Sequence, residues 1–239
     1  MGDYVEELQT ERSMKDRFMA HHAESPFVSE HIDGFSGLRY FPIQEKYRVR
    51  ATLRRLKGPE EAYLRTNRDG QAVMRYLGDL EFQIDGRPLK LRVYHAGEGV
   101  GTSVFVPFRD GTSGDDSYGP GRYITLELNE SDEYELDFNR AFNPYCAYTD
   151  AYECGFPPAE NDLPVPIPAG EKVWSGERNP RTPSSAVIAL LGPRPTAPRE
   201  APVRRPAPGK RSRTTRARAP RGKARPKRSP RARGTRRRG

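Results

Sequence analysis

The chain has 239 residues, of which only 34% are hydrophobic, and 41 Lys+Arg against 32 Asp+Glu give a formal net charge of +9. Two cysteines are too few for a disulfide scaffold, and no apolar run approaches the ~20 residues of a membrane-spanning helix, so a secreted miniprotein and a helical membrane protein are both excluded. The charge is unevenly placed: residues 176–239 hold 21 Lys+Arg and only two acids, Glu177 and Glu200, a net of +19, whereas residues 1–175 keep 20 basic and 30 acidic residues, a net of −10.

That asymmetry predicts two parts, an acidic folded domain over residues 1–175 and a disordered, arginine- and proline-rich tail over residues 176–239. The opening Met-Gly-Asp-Tyr-Val-Glu-Glu-Leu lacks the apolar core of a signal peptide, and Glu6 stands where a myristoylation site needs Ser or Thr. A cytoplasmic location is the expectation.

Residues 3–22 are rich in helix formers and free of proline, and Tyr4, Val5, Leu8, Met14, Phe18 and Met19 form a broken apolar stripe. They predict one amphipathic helix that ends before Ser25-Pro26, because a residue preceding proline is pushed out of helical geometry. Residues 26–46 read as irregular, with aromatic anchors in Leu38-Arg39-Tyr40-Phe41-Pro42.

From residue 47 the apolar period becomes two. Tyr47, Val49, Ala51 and Leu53 alternate with Arg48, Arg50, Thr52 and Arg54, a half-buried strand with a basic outer face. Strands at 62–66 and 72–76 flank Asp69-Gly70, and strands at 80–84 and 89–94 flank Asp85-Gly86, each a hairpin signal. Residues 103–106, 122–128 and 134–138 supply three more. Short strands with turn residues between them and no βαβ alternation predict a mainly β (α+β) fold: an antiparallel barrel or sandwich with an N-terminal helix. The proline-rich stretch 139–172 reads as a C-terminal wrap around the sheet, anchored by Phe142, Tyr145, Tyr148, Tyr152 and Phe156.

The densest run of special residues lies between Phe105 and Lys172: Phe-Val-Pro-Phe-Arg-Asp-Gly-Thr-Ser-Gly (105–114), Tyr-Gly-Pro-Gly-Arg-Tyr (118–123), Asp-Phe-Asn-Arg-Ala-Phe-Asn-Pro-Tyr-Cys-Ala-Tyr (137–148), Pro-Pro-Ala-Glu-Asn (157–161) and Ala-Gly-Glu-Lys (169–172). With Gly37-Leu38-Arg39-Tyr40-Phe41-Pro42 and Tyr47-Arg48-Val49 upstream, this order resembles the bacterial and archaeal domain of unknown function 1684 family over roughly residues 4–174. Gly155-Phe156 and Phe142 depart from that pattern without removing an ionisable group. The resemblance implies that the block works as one unit and brings no assigned activity; the tail lies outside it.

The polar members of the block admit three readings. As a ligand pocket, Arg109, Asp110, Thr112, Tyr118, Arg122, Tyr123, Asn139, Asn143, Glu160 and Asn161 would surround a small anion, since the planar forks of Arg109 and Arg122 match carboxylate or phosphate. As an enzyme, Asp110 or Asp137 would act as general base and Tyr118 as hydroxyl donor. As a buried network, the same groups with Glu171 and Lys172 would satisfy the irregular backbone of the wrap. Convergence of Arg109, Asp110, Asp137 and Glu160 on one concavity distinguishes the first two from the third.

No metal or cofactor is expected. Asp137, Asn139 and Asn143 lack calcium-loop spacing, and Cys146 and Cys154 stand too far apart for a zinc knuckle. The glycines at 97–101 and 111–121 lack a phosphate-loop context. In the tail no aromatic residue follows Trp174 and no leucine follows Leu191. Such a segment cannot offset its ordering entropy and is expected to contact nucleic acid or another polyanion non-specifically, through counterion release.

Overall fold

A computed structural model of the chain describes residues 2–27, 32–96 and 103–176. The glycine run at 97–101 and the basic tail from residue 177 onward lie outside the described residues. The elements are helix α1 (Gly2–His21) and strands β1 (Arg48–Arg65), β2 (Gln71–Ile84), β3 (Arg87–Ala96), β4 (Ser103–Phe108), β5 (Arg122–Glu127) and β6 (Glu133–Asp137). They form one antiparallel six-stranded sheet in the order β5-β4-β3-β2-β1-β6. The sheet curls into a nearly closed barrel. Just past β6, Phe142 exchanges backbone hydrogen bonds with Tyr123 of β5, so the chain itself bridges the two sheet edges.

Four of the short strands expected from the sequence join into two long ones. β1 joins the expected strands at 47–54 and 62–66 over residues 48–65, and β2 runs through both 72–76 and 80–84. The register shifts between Arg55 and Glu60, opposite Gly78. Gly78 has φ +150, and a Cβ there would lie 2.1 Å from the Arg54 carbonyl oxygen, so the bulge requires glycine. The turn after β2 is as expected: Asp85 (φ 49) and Gly86 (φ 76) both take the left-handed geometry of a two-residue hairpin turn.

The barrel core collects Leu53, Leu80, Leu91, Val93, Val106, Phe108, Ile124 and Leu136 from the strands. It also takes Leu163, Val165, Ile167 and Ala169 from the proline-rich arm, which alternate with outward-facing Pro164, Pro166 and Pro168. The arm is thus anchored mainly by aliphatic residues; of the five aromatic anchors expected, only Tyr148 is fully buried. A second cluster of Met19, Phe27, Leu38, Ala147 and Tyr148 packs beside Trp174, whose ring lies 5.0 Å from Phe27.

Helix α1 buries Tyr4, Leu8 and Met19, while Met14 is 58% exposed and leaves the expected stripe. Polar links hold it to the barrel. Tyr4 donates to Asp137 (2.8 Å), Arg140 reaches Glu7 and Glu11 (2.7 and 2.5 Å), and Asp16 accepts from the Leu38 N–H (2.9 Å).

Candidate functional site

Asp110 and Arg122, expected to face a ligand, are paired with each other at 2.8 Å, and both side chains are fully buried. Asp110 lies two residues past the end of β4 and folds back on the next turn, where its Oδ1 accepts from the N–H and hydroxyl of Thr112 (2.8 and 2.7 Å). The same oxygen accepts from the Ile167 N–H at 3.1 Å. Arg122 Nη2 donates to the Ile167 carbonyl (3.2 Å), and Nη1 donates to the carbonyls of Ala169 and Glu171. Those three carbonyls belong to alternate residues of the arm. Prolines at 164, 166 and 168 deprive the arm of the donors that a neighbouring strand would need. Residues 109–111 and 39–41 pair with the two ends of the arm, and between them the buried ion pair takes the place of a strand partner. Burial pulls the Arg122 pKa down, opposed by the charge of Asp110.

The other expected site residues fall into separate places. Arg109 and Glu160 are exposed and meet Asp162 (3.8 Å) and Arg92 (3.0 Å). Asn161 is buried and clamps the arm to β3 and β4, bonding both backbone groups of Arg92 and the Pro107 carbonyl. The Tyr123 hydroxyl donates to the Gly155 carbonyl (2.7 Å), and that of Tyr118 lies 3.5 Å from the Cys146 carbonyl. Asn139, with Asp137 and Tyr4, fastens the backbone of Gln44. Asn143 binds Glu171 and the Lys172 carbonyl. Of Arg109, Asp110, Asp137 and Glu160, two are buried in separate networks and two are exposed, and none of them lines the apolar concavity beneath α1. Among the described residues no cluster of three or more His, Cys, Asp or Glu side chains is arranged to hold a metal ion.

A different set of residues does surround one. Between α1, Tyr40 and the segment after β6 lies a mostly apolar cleft of about 420 Å³. Its walls include Leu8, Phe18, Met19, Ala141, Phe142 and Tyr145, with Arg12, Lys15, Arg140, Glu11 and Glu171 as its charged groups. Glu171 is 1% exposed and fully engaged: Lys15 (2.6 Å), the backbone and side-chain nitrogens of Asn143, and the Tyr148 hydroxyl all donate to it. Arg140 is held by Glu7, Glu11 and Asp137.

Arg12 is the exception. It stacks over the Tyr40 ring, 4.3 Å from its centre, and donates only to the carbonyls of Phe41 and Asn139, both at 3.3 Å. Among the described residues no carboxylate pairs with it, and its Nε is buried without a hydrogen-bond partner. The Tyr40 hydroxyl in the same wall is likewise buried and unpartnered. Burial pulls the Arg12 pKa down and drives the Tyr40 pKa well up, where the charges of Glu171 and Asp16 add to the effect. A half-desolvated cation without a carboxylate partner in the wall of a mostly apolar cleft is chemically suited to an anion.

Neither Arg12 nor Lys15 stands out by motif. Their spacing was a usable signal: Leu8, Arg12, Lys15 and Met19 follow one another at intervals of four, three and four, a single helix face. Two cations on the buried face of an amphipathic helix mark a place where that face meets something other than core.

Fold and cleft define a class: a barrel-like β domain with an N-terminal helix laid over a small, cation-bearing cavity. The chain belongs to the family described as "Protein of unknown function (DUF1684)", whose model matches residues 33–172. It is also similar to the solution NMR structure of an uncharacterized protein from gene locus rrnAC0354 of Haloarcula marismortui. The two share 39% identity over 72% of this chain and 95% of that one, with a TM-score of 0.57. The comparison with curated proteins yields no match.

Proposed function

We propose that the domain is a binding module for a small organic anion, lodged in the cleft under α1. In this reading Arg12 is the charge partner, the Tyr40 ring the wall on which it stacks, and Lys15–Glu171 the fixed polar floor. The single observation that carries it is the guanidinium of Arg12, which has no carboxylate partner among the described residues and lines a mostly apolar cleft. The polar block from Phe105 to Lys172 then serves as scaffold: its buried members tie the proline-rich arm to the barrel, and Arg109 and Glu160 stay on the surface. Thermal denaturation against a panel of small organic acids tests the reading. A ligand that raises the melting temperature of the wild-type chain and leaves that of Arg12→Gln unmoved supports it; equal stabilisation of both discards it.

The division at residue 175 is part of the same proposal, with residues 176–239 as a non-specific polyanion-binding extension. Its support is compositional, a +19 charge without aromatic residues to stack on bases. Deleting residues 176–239 is expected to abolish binding to random duplex DNA at low salt and to remove its steep salt dependence. Undiminished binding by the shortened chain refutes it. A cytoplasmic setting fits both cysteines being free thiols.

A further inference from the structure

The two cysteines belong neither to the cleft under α1 nor to the Arg122 network, yet the fold brings them together. We propose that Cys146 and Cys154 form a reversible intramolecular disulfide, closed by a small peroxide and reopened by a dithiol.

They are the chain's two cysteines, separated by seven residues. Cys146 lies in the short helical turn Tyr145–Ala147 and is fully buried, whereas Cys154 ends the loop that follows and is partly exposed. That loop returns on itself: the Cys154 thiol donates to Cys146 Sγ, and the Cys154 sulfur accepts from the Cys146 backbone N–H. Sulfurs within hydrogen-bond range reach the ~2.0 Å of an S–S bond by side-chain rotation, with little demand on the backbone. The backbone at Cys154 is already fixed to the turn between β1 and β2. Its N–H donates to Asn67 Oδ1 (2.7 Å), its carbonyl accepts from the Asn67 N–H (3.3 Å), and Thr66 holds the neighbouring Glu153 (2.6 Å).

A route for the oxidant is present. An open concavity of about 440 Å³ borders the same turn, with Asn67, Arg68, Tyr118 and Phe156 among its walls. The Tyr118 hydroxyl lies 3.8 Å from Cys146 Sγ, and Asn67 is bonded to Cys154, so the thiols stand one side chain behind the concavity. That depth admits a molecule the size of hydrogen peroxide and keeps a bulky disulfide oxidant away.

Peroxide is the one co-reactant the step needs. The sulfur of Cys154, the more exposed of the two, takes one peroxide oxygen as the O–O bond breaks; one water leaves and a sulfenic acid remains. The Cys146 sulfur then displaces that hydroxyl as a second water, and the S–S bond forms. Two thiols give up two electrons and two protons, and the peroxide receives both. Burial and the thiol–thiol hydrogen bond keep the Cys154 thiolate scarce at neutral pH, so closure is slow.

The test exposes the full chain to dilute hydrogen peroxide for hours. The tryptic peptide 141–172 holds both cysteines, and its mass is expected to fall by two hydrogens. Thiols titrated in denaturant should disappear together and return on treatment with dithiothreitol. The bond closes a nine-residue ring, and restricting the unfolded chain in this way is expected to raise the melting temperature by about 5–10 °C. In Cys146→Ser, dimedone should trap a sulfenic acid on Cys154; in Cys154→Ser the buried Cys146 should take little label. Peroxide that leaves both thiols free, carries them to sulfinic or sulfonic acid, or joins two chains overturns the proposal, and these readings on the wild-type chain need no variant to fold. A melting temperature unchanged or lowered by oxidation overturns the fit of the bond to the fold. Stronger dimedone labelling of Cys154→Ser than of Cys146→Ser overturns the order of attack.

Discussion

Replacing Arg122 with methionine preserves the length and much of the volume of the side chain while removing every bond by which it holds the arm. Lost are the ion pair to Asp110 at 2.8 Å and the donations to the carbonyls of Ile167, Ala169 and Glu171. Asp110 is left as a buried anion with three neutral donors and no cation. Breaking one side of a buried pair costs about 3–5 kcal/mol, because the partner stays desolvated. With a urea slope of about 2 kcal/mol/M, ~4 kcal/mol moves the unfolding midpoint down by roughly 2 M. A domain holding about 5–15 kcal/mol in total would lose a large share of its stability. Asp110→Asn in the Arg122→Met background removes the stranded charge yet keeps an oxygen for Thr112 and Ile167, so part of the loss is expected to return. The cycle of single and double variants should show a coupling of about 0.5–3 kcal/mol, read from urea unfolding followed by Trp174 fluorescence. A shift below about 1 kcal/mol for Arg122→Met is the value of an exposed pair. That result, or strict additivity in the cycle, would refute the view that this pair replaces a strand partner for the arm.

Gly170→Ala is expected to destabilise the fold by well over about 1 kcal/mol, measured in the same unfolding assay. Gly170 has φ +74, and a Cβ there would lie 2.6 and 2.7 Å from the carbonyl oxygens of Ala141 and Phe138, neither of which can rotate away. Asp16 tests the seating of α1 through pH. Desolvation raises its pKa above the ordinary value, against the pull of the Leu38 N–H bond. Its contribution is therefore most favourable below the unfolded pKa and is lost as pH rises through the folded one. Asp16→Asn, whose amide oxygen still accepts from Leu38, should gain on the wild type as pH climbs from 3.5 to 7; a difference independent of pH would show that the carboxylate is not desolvated. For Cys154, the hydrogen bond with Cys146 is the first cause of a strongly raised pKa and burial the second, so the thiolate is scarce at neutral pH. Ellman's reagent should label the native chain slowly at pH 7 and both cysteines promptly in denaturant; rapid labelling of the native chain contradicts the geometry.

The parts of the fold that were legible in the sequence are those fixed by neighbours along the chain. Asp85-Gly86 needs only its own left-handed backbone to make a turn, and the alternation from Tyr47 to Leu53 needs only the pleat of a strand. The continuity of β1 and β2 was not legible. Lys57-Gly58-Pro59 reads as a break, and the register shift that bridges it depends on Gly78, which lies on the other strand. The arm is a subtler case. Leu163, Val165, Ile167 and Ala169 carry the period of a strand, but the prolines between them cannot donate to a ladder, so the segment reads as loop. What lets its middle pack as a strand would is the guanidinium of Arg122, more than forty residues upstream.

The same physics explains why the sequence draws attention to Asp110 and Arg122 rather than to Arg12. Asp110 and Arg122 have the composition of an anion clamp, and a sequence cannot reveal that the acid, together with three backbone carbonyls, has already filled the arginine's fork. Arg12 sits in a helix of ordinary composition, and its lack of a partner becomes visible only when Tyr40, Phe41 and Asn139 are brought against α1. A cation free to meet a ligand differs from a structural one in having no carboxylate against it. Absence of a partner is a property of the folded neighbourhood, so it leaves a trace in sequence only where a cation interrupts an apolar face, as Arg12 and Lys15 do between Leu8 and Met19.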